Sequence, residues 1–231
     1  METTEEFIRW SASHWGAVIV TAIVTACIIG CGIRLCDKGK HALCRGLAVV
    51  AGIIYVADTS YIFISQHHGT WEQNLPFHYC SMMLLVSVIA LWTRNRTACW
   101  VLYFGALSAC LQGLITPALD ADFPTLRYIC FFCLHGILVP AGLAVPLLLR
   151  MRARVRDIIR SLLLMDAYLV IIHVVNLILG TTNYGFTMKS PVPGCILDYA
   201  GPAPWYYLLL QIPVFILFYL MHLPVRQKTH S

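Results

Sequence analysis

The chain has 231 residues, of which 59% are hydrophobic and only 12% charged, with a mean hydropathy of +0.73, against about 25% charged residues in an average soluble domain. That composition excludes a water-soluble globular domain and makes a lipid bilayer the natural solvent. The net charge of +5 is explained by loops facing anionic lipid, and nothing in the sequence points to nucleic acid.

From the N-terminus, METTEEFIRW is acidic and lacks the basic region of a cleavable signal peptide, so the first helix is expected to stay. Apolar runs long enough to cross a bilayer core, about 17–25 residues, then recur along nearly the whole chain. They fall roughly at Trp15–Leu35, Leu47–Ser65, Leu75–Trp92, Ala98–Pro117, Tyr128–Leu149, Ser161–Thr181 and Trp205–Leu223. Only helices or closed barrels satisfy the backbone in lipid, and these runs are too continuous for barrel alternation. The expected fold is therefore all-α: a polytopic, multi-pass membrane protein with seven transmembrane helices forming one integral domain over residues 1–231.

Basic residues set the orientation. Of the 16 lysines and arginines, thirteen fall in one set of alternate loops, including Arg34, Lys38, Arg94, Arg150 and Arg226; only Arg9, Arg127 and Lys189 fall in the other. The positive-inside rule places the N-terminus outside and the C-terminus in the cytoplasm. Trp71 and Trp205 then lie at the outer interface, and Asn95-Arg96-Thr97 becomes a chance sequon on the cytoplasmic side.

Ten cysteines invite a disulfide or metal reading. Cys27, Cys31, Cys99, Cys110, Cys130 and Cys133 lie inside apolar helices, where cysteine behaves as a small hydrophobe. No four-ligand spacing for structural zinc is present, and the loop pair His67-His68 reads as solvated. No metal and no cofactor is expected.

Polar residues inside the spans are more informative, because such groups are expensive in lipid and face a cavity or one another. Asp58, Gln112, Thr116, His135, His173 and Asn176 all fall in the outer halves of their spans. Gln112 and Thr116 are i, i+4 and His173 and Asn176 are i, i+3, so each pair shares a helix face. The expectation is one extracytoplasmic-side cavity; interhelical hydrogen bonds that only glue the bundle are the plain alternative. Asp166, in the inner half, has no evident polar partner.

The stretch LPFHYCSMM, Leu75 to Met83, belongs to the outer end of the third span. Asn74 can cap a helix with Pro76 in its first turn. His78 and Cys80 would then point about 200° apart, so His78 is a poor base for Cys80. His135 enters at a similar depth on the fifth span, and a thiol near a helix N-terminus with an imidazole in reach is the arrangement that makes thiolate.

Four blocks carry a resemblance: LPFHYCSM; LQGLITPALDADFPTLRYICFFCLHG; GTTNYGF followed by Lys189-Ser190-Pro191; and LDYAGPAPWYYL. In order and spacing they resemble the YwaF-like family of integral membrane proteins, related to transmembrane protein 164, over roughly Leu75 to Leu223. The resemblance implies a lipid acyltransferase acting through a cysteine and a histidine, here Cys80 and His135. A looser similarity to androgen-induced membrane hydrolases of fatty-acid esters implies ester hydrolysis as a sibling reaction, with cysteine here where those use threonine.

The combined reading is an enzyme acting on phospholipid or other acyl lipid. Cys80 attacks the ester carbonyl, His135 handles the proton, and Gln112 and Asn176 serve as oxyanion donors. Arg127 and Lys189 hold a lipid phosphate, while His78, Thr116, His173 and Asn183 complete the substrate-binding set. The reading from another class is a small-solute binding protein or transporter with Asp58 and His173 as a proton-coupling pair.

Overall fold

The computed structural model describes residues 6–65, 69–180, 182–191 and 196–227. Helices follow one another through short connections: α1 (Ala12–Arg34), α2 (Asp37–Ser65), α3 (Tyr79–Thr93), α4 (Arg96–Ile115), α5 (Leu126–Leu147), α6 (Val155–Leu179) and α7 (Gln211–His222). Among the described residues there is no strand, only two isolated bridges.

Local chemistry sets the helix ends. Ser11 Oγ accepts from His14 N (3.3 Å), Asn95 Oδ1 accepts from Ala98 N (3.1 Å) and Thr125 Oγ1 accepts from Tyr128 N (3.3 Å), capping α1, α4 and α5. Asn95, the chance sequon, is thus a helix cap. Gly180, at φ +70°, ends α6 in the left-handed conformation that glycine adopts without strain.

Several expected boundaries move, α6 starting at Val155 and not at Ser161 and α7 at Gln211 and not at Trp205. α2 starts at Asp37 and not at Leu47, because Lys38, Lys40 and Arg45 are good helix formers that nothing but Gly39 and Gly46 interrupts. α3 starts at Tyr79 and not near Leu75, with His78 and not Asn74 at its N-cap. Pro76 biases Leu75 to the extended conformation it adopts (φ −72°, ψ 148°). Asn74 instead closes a 3₁₀ turn over Trp71–Asn74, its Nδ2 donating to Thr70 O at 2.6 Å. The expected end of the sixth span at Thr181 and the His67-His68 pair lie outside the described residues.

The seven helices alternate between the two ends of the bundle. At one end, Arg150 meets Asp37 (3.7 Å), Arg96 reaches Arg152 O (2.8 Å), and Ala153 N donates to Val225 O (2.9 Å). The same end holds a forked ion pair, Arg96 Nε to Asp157 Oδ1 at 3.2 Å and Arg96 Nη2 to Asp157 Oδ2, while Asp157 also accepts from Arg154 N at 2.7 Å. At the other end Phe7 N donates to Asp120 O (3.4 Å), and the Tyr184 hydroxyl donates to Glu72 O and accepts from Leu75 N (2.8 Å). Burial pushes the Tyr184 phenol up to about 12, so it remains a donor at any ordinary pH.

Between the ends, fully buried Trp100, Phe104 and Phe218 occupy the centre, the last two rings stacked at 4.8 Å. Small residues such as Ala51, Ala90, Ala141 and Ala144 let helices approach, the packing used where lipid supplies no hydrophobic drive. Large apolar side chains face outward, for example Ile178 and Ile212. Five helices are long and apolar enough to cross a membrane, while Tyr79–Thr93 and Gln211–Val225 are shorter apolar helices.

Candidate functional site

α3, α4 and α5 meet where three side chains converge. Cys80, in the first turn of α3, has Cys110 on α4 and His135 on α5 as its electrostatic neighbours. Cys80 is half-buried, Cys110 and His135 buried.

His135 is held in one tautomer. Its Nδ1 is 2.8 Å from Phe131 O, one turn earlier in α5. A carbonyl oxygen only accepts, so Nδ1 carries the proton and Nε2 keeps its lone pair. The Phe131 ring lies 4.2 Å from the imidazole, centroid to centroid. On the other side the ring lies against Gly113, where a Cβ would stand 2.5 Å from Cδ2 and 2.6 Å from Nε2.

α4 reaches this point through a π-helical turn, Ala106–Cys110. The Ser108 hydroxyl donates to Phe104 O at 2.6 Å, competing for a carbonyl of the helical ladder, a known way to disturb a helix locally. The extra residue brings Cys110 and Gly113, three apart on one face, against α3 and α5. Single-turn π-bulges recur at functional sites.

Sequence reasoning missed both, since Cys110 reads as a packing residue in an apolar helix. Their i, i+3 spacing of small residues was the available signal. It also missed Tyr79, whose hydroxyl is buried without a hydrogen-bond partner. That hydroxyl faces Gly105, where a Cβ would lie 2.5 Å from it.

The other expected site residues go elsewhere. Asn176 is fully buried and all its amide positions are used: Nδ2 donates to Tyr184 O and Thr187 Oγ1 (2.8 Å each), and Oδ1 accepts from Thr182 Oγ1 (2.7 Å) and Tyr184 N (2.9 Å). Gln112 is exposed and donates to Thr116 Oγ1 on its own helix (3.0 Å). His78 packs against Tyr184 and Phe186, with centroids at 5.1 and 5.5 Å. Arg127 pairs with buried Asp58 (3.8 Å) and lies over the Phe131 ring at 5.7 Å. The Nδ1 atom of His173 is buried without a partner.

Asn183 Oδ1 accepts from Met188 N (3.0 Å) and Lys189 N (3.1 Å), and its Nδ2 donates to Lys189 O (2.9 Å), fixing the segment from which Lys189 stands exposed. Asp166 does find a partner, accepting from Gln211 Nε2 at 3.0 Å. Of the six polar residues expected to share one cavity, Asp58, Gln112, Thr116 and Asn176 bond to a neighbouring helix, their own helix or a loop, and His173 keeps an unpartnered Nδ1.

An apolar groove of about 350 Å³ opens between α3, α4 and α6. Met82, Met83, Val86, Val101 and Met165 line it, and Tyr79 and Tyr168 stand at its upper end. The Tyr168 hydroxyl donates to Phe77 O at 2.7 Å. Among the described residues no group of histidine, cysteine and carboxylate side chains is placed to hold a metal.

The long apolar helices and lipid-facing apolar surface define a multi-pass integral membrane protein. A model of the TMEM164 family matches residues 9–222, nearly the whole chain and both of its first helices, and the protein belongs to that family. No curated protein and no solved structure matches it.

Proposed function

We propose that the protein is a membrane-embedded enzyme that moves an acyl group out of a lipid ester, with Cys80 as nucleophile and His135 as its base. The observation that supports this is an imidazole whose Nδ1 is tied to Phe131 O, so that in the neutral ring Nε2 is the nitrogen free to take a proton, with Cys80 as its electrostatic neighbour. Nucleophile, base and a group orienting the base make the general pattern of an activated nucleophile.

In this reading His135 Nε2 takes the Cys80 proton as sulfur bonds to the ester carbonyl carbon, and the carbonyl π pair moves onto oxygen. Collapse of the tetrahedral intermediate breaks the carbon–oxygen ester bond. The imidazolium returns the proton to the departing alkoxide, leaving an acyl thioester on Cys80 and a lysolipid alcohol. An acceptor hydroxyl, or water, then reverses the steps. Acyltransferase and hydrolase differ only in that acceptor.

The bilayer supplies the phospholipid or other acyl lipid. The apolar groove below Tyr79 suits its acyl chain, and Lys189, exposed on the segment that Asn183 fixes, suits the head-group phosphate. Arg127 is engaged with Asp58, which weakens both its own part in head-group binding and the transporter reading that needs Asp58 for proton coupling. Seven crossings with a cytoplasmic C-terminus put the site on the extracytoplasmic side, in keeping with the alternation of helices between bundle ends.

The test is mass spectrometry of the protein reconstituted with phospholipid, searching for an acyl adduct on each cysteine. A thioester on Cys80 in the wild type, lost in Cys80→Ala and retained in Cys110→Ala, is the expected result. Adducts on Cys110 alone, or lipid turnover that survives Cys80→Ala, would overturn the reading.

A further inference from the structure

The mechanism above needs a donor for the negative oxygen of the tetrahedral intermediate, and the amides first considered do not supply it. Asn176 has all its positions filled by the loop it anchors, and Gln112 is exposed and bonded along its own helix. A polar group that is buried, unengaged and adjacent to Cys80 is what the chemistry requires.

Tyr79 meets that description. Its hydroxyl is buried with no hydrogen-bond partner, an arrangement that costs stability with no structural return. It is held by contact with α4 at Gly105, where even a methyl group would collide with it at 2.5 Å. Both site thiols, of Cys80 and Cys110, lie within electrostatic reach of it.

The π-turn sets the spacing. Gly105 precedes the turn and Cys110 ends it, and Leu111 N donates to Ala106 O across the same five-residue interval. Residues five apart in a π-turn stand one above the other, about 5 Å along the helix. Tyr79 Oη touches α4 at the first of these levels, and Cys110, an electrostatic neighbour of Cys80, stands at the second. An oxyanion on a carbon bonded to Sγ stands roughly 2.7 Å from sulfur and accepts a hydroxyl at about 2.7 Å. A donor about one turn away is therefore in range of it, while remaining out of range of the thiol itself.

We propose that the Tyr79 hydroxyl is the oxyanion donor of this site, a catalytic residue that hydrogen-bonds the carbonyl oxygen of the acyl group as Cys80 attacks it. This rests on the reading of Cys80 as nucleophile. The hydroxyl keeps its proton throughout; it donates one hydrogen bond that is made in the intermediate and is absent in the empty site. Tyr79 also lines the head of the apolar groove, so the acyl chain below it and the thiol beside it define where the carbonyl oxygen must lie.

The experiment compares two reactions at the same sulfur. Acylation of Cys80 by a p-nitrophenyl fatty-acid ester passes through an oxyanion, whereas alkylation of Cys80 by iodoacetamide does not. In purified, reconstituted Tyr79→Phe, acylation should fall by about 10²-fold, with alkylation of Cys80 within about twofold of wild type and thermal stability equal or higher, since an unpartnered hydroxyl is removed. Equal losses in both reactions would make Tyr79 a packing residue and overturn the proposal, as would acylation at the wild-type rate. Gly105→Ala, which displaces the hydroxyl while keeping it, should reproduce the selective loss; unchanged acylation there also counts against the proposal. If wild-type Cys80 is alkylated but never acylated, the nucleophile reading itself fails and the inference falls with it.

Discussion

Gly113 gives His135 its position: a Cβ at residue 113 would stand 2.5 Å from the imidazole Cδ2 and 2.6 Å from Nε2. The contact joins α4 to α5 at the atom that takes the Cys80 proton in the proposed mechanism, so the absence of a side chain on one helix sets the place of the imidazole on another.

Gly113→Ala is accordingly expected to push the imidazole off Cys80 without unfolding the bundle. Alanine is the better helix former by about 1 kcal/mol, which offsets part of the crowding, whereas a misplacement of about 1 Å at a reacting group costs on the order of 10² in rate. Acyl transfer should therefore drop by about that factor while the thermal midpoint moves by only a few degrees. Wild-type turnover in Gly113→Ala would show that His135 is not held by this contact or is not the base.

The ion-pair cluster around Arg96 and Asp157 predicts a stability effect far from Cys80. Asp157 accepts from Arg96 Nε (3.2 Å) and Arg154 N (2.7 Å) and is almost fully buried, whereas Arg96 is about a third exposed. Asp157→Ala strands the guanidinium and uncaps α6, at a cost of about 2 kcal/mol, below the roughly 3–5 kcal/mol for broken fully buried pairs because Arg96 can reach water. Thermal unfolding in detergent should show a midpoint lowered by several degrees, with Cys80 alkylation per folded molecule unchanged. A midpoint equal to wild type would mean that the pair contributes nothing net.

How much of this was legible beforehand differs by feature. Composition and the length of apolar runs fix the helical membrane class, because in lipid the backbone has few other solutions. Matching depths counted along two helices put Cys80 and His135 at one level, and they are electrostatic neighbours on α3 and α5. The remainder of the site was not legible, because it depends on how helices rotate against each other. Gln112 and Asn176 look like inward polar groups in sequence, yet one faces outward and the other serves a loop no more than eleven residues away. Cys110 and Gly113 turn toward His135 only through the π-turn over Ala106–Cys110, which shifts the register of every later residue of α4. The start of α3 was misplaced for a local reason, the extended Leu75 ahead of Pro76. Trp205, expected at the interface, is exposed, whereas the adjacent Tyr206 is buried, its hydroxyl donating to Phe186 O.

The proposed topology can be checked independently of activity. With thirteen of 16 basic residues on one side, a reporter fused after the C-terminus should read cytoplasmic, and Asn95 should stay unglycosylated in a eukaryotic host. A membrane-impermeant amine-reactive reagent added to intact cells should modify Lys189 and not Lys38. The reverse pattern would turn the site toward the cytoplasm and require a lipid substrate of the inner leaflet.

The apolar groove makes the final prediction, on chain length. It runs along α3 from Tyr79 past Val86 to Ile89 and is floored by Val101 and Met165. Val86 lies seven residues, about 10 Å, from Tyr79 along the helix, so Val86→Trp blocks the lower part and leaves the part next to Cys80 open. Each methylene barred from an apolar site forfeits about 0.8 kcal/mol, a factor of about 4. With acyl donors of about eight and about sixteen carbons, Val86→Trp should leave the short one within a few-fold of wild type and lower kcat/KM for the long one by 10²-fold or more. Ile171→Trp, on the exposed face of α6 outside the lining residues, should change neither, which separates a blocked groove from a general effect of bulk. Equal losses for short and long donors in Val86→Trp would mean that the chain lies elsewhere, and the groove would then be an ordinary crevice between helices filled by bulk lipid.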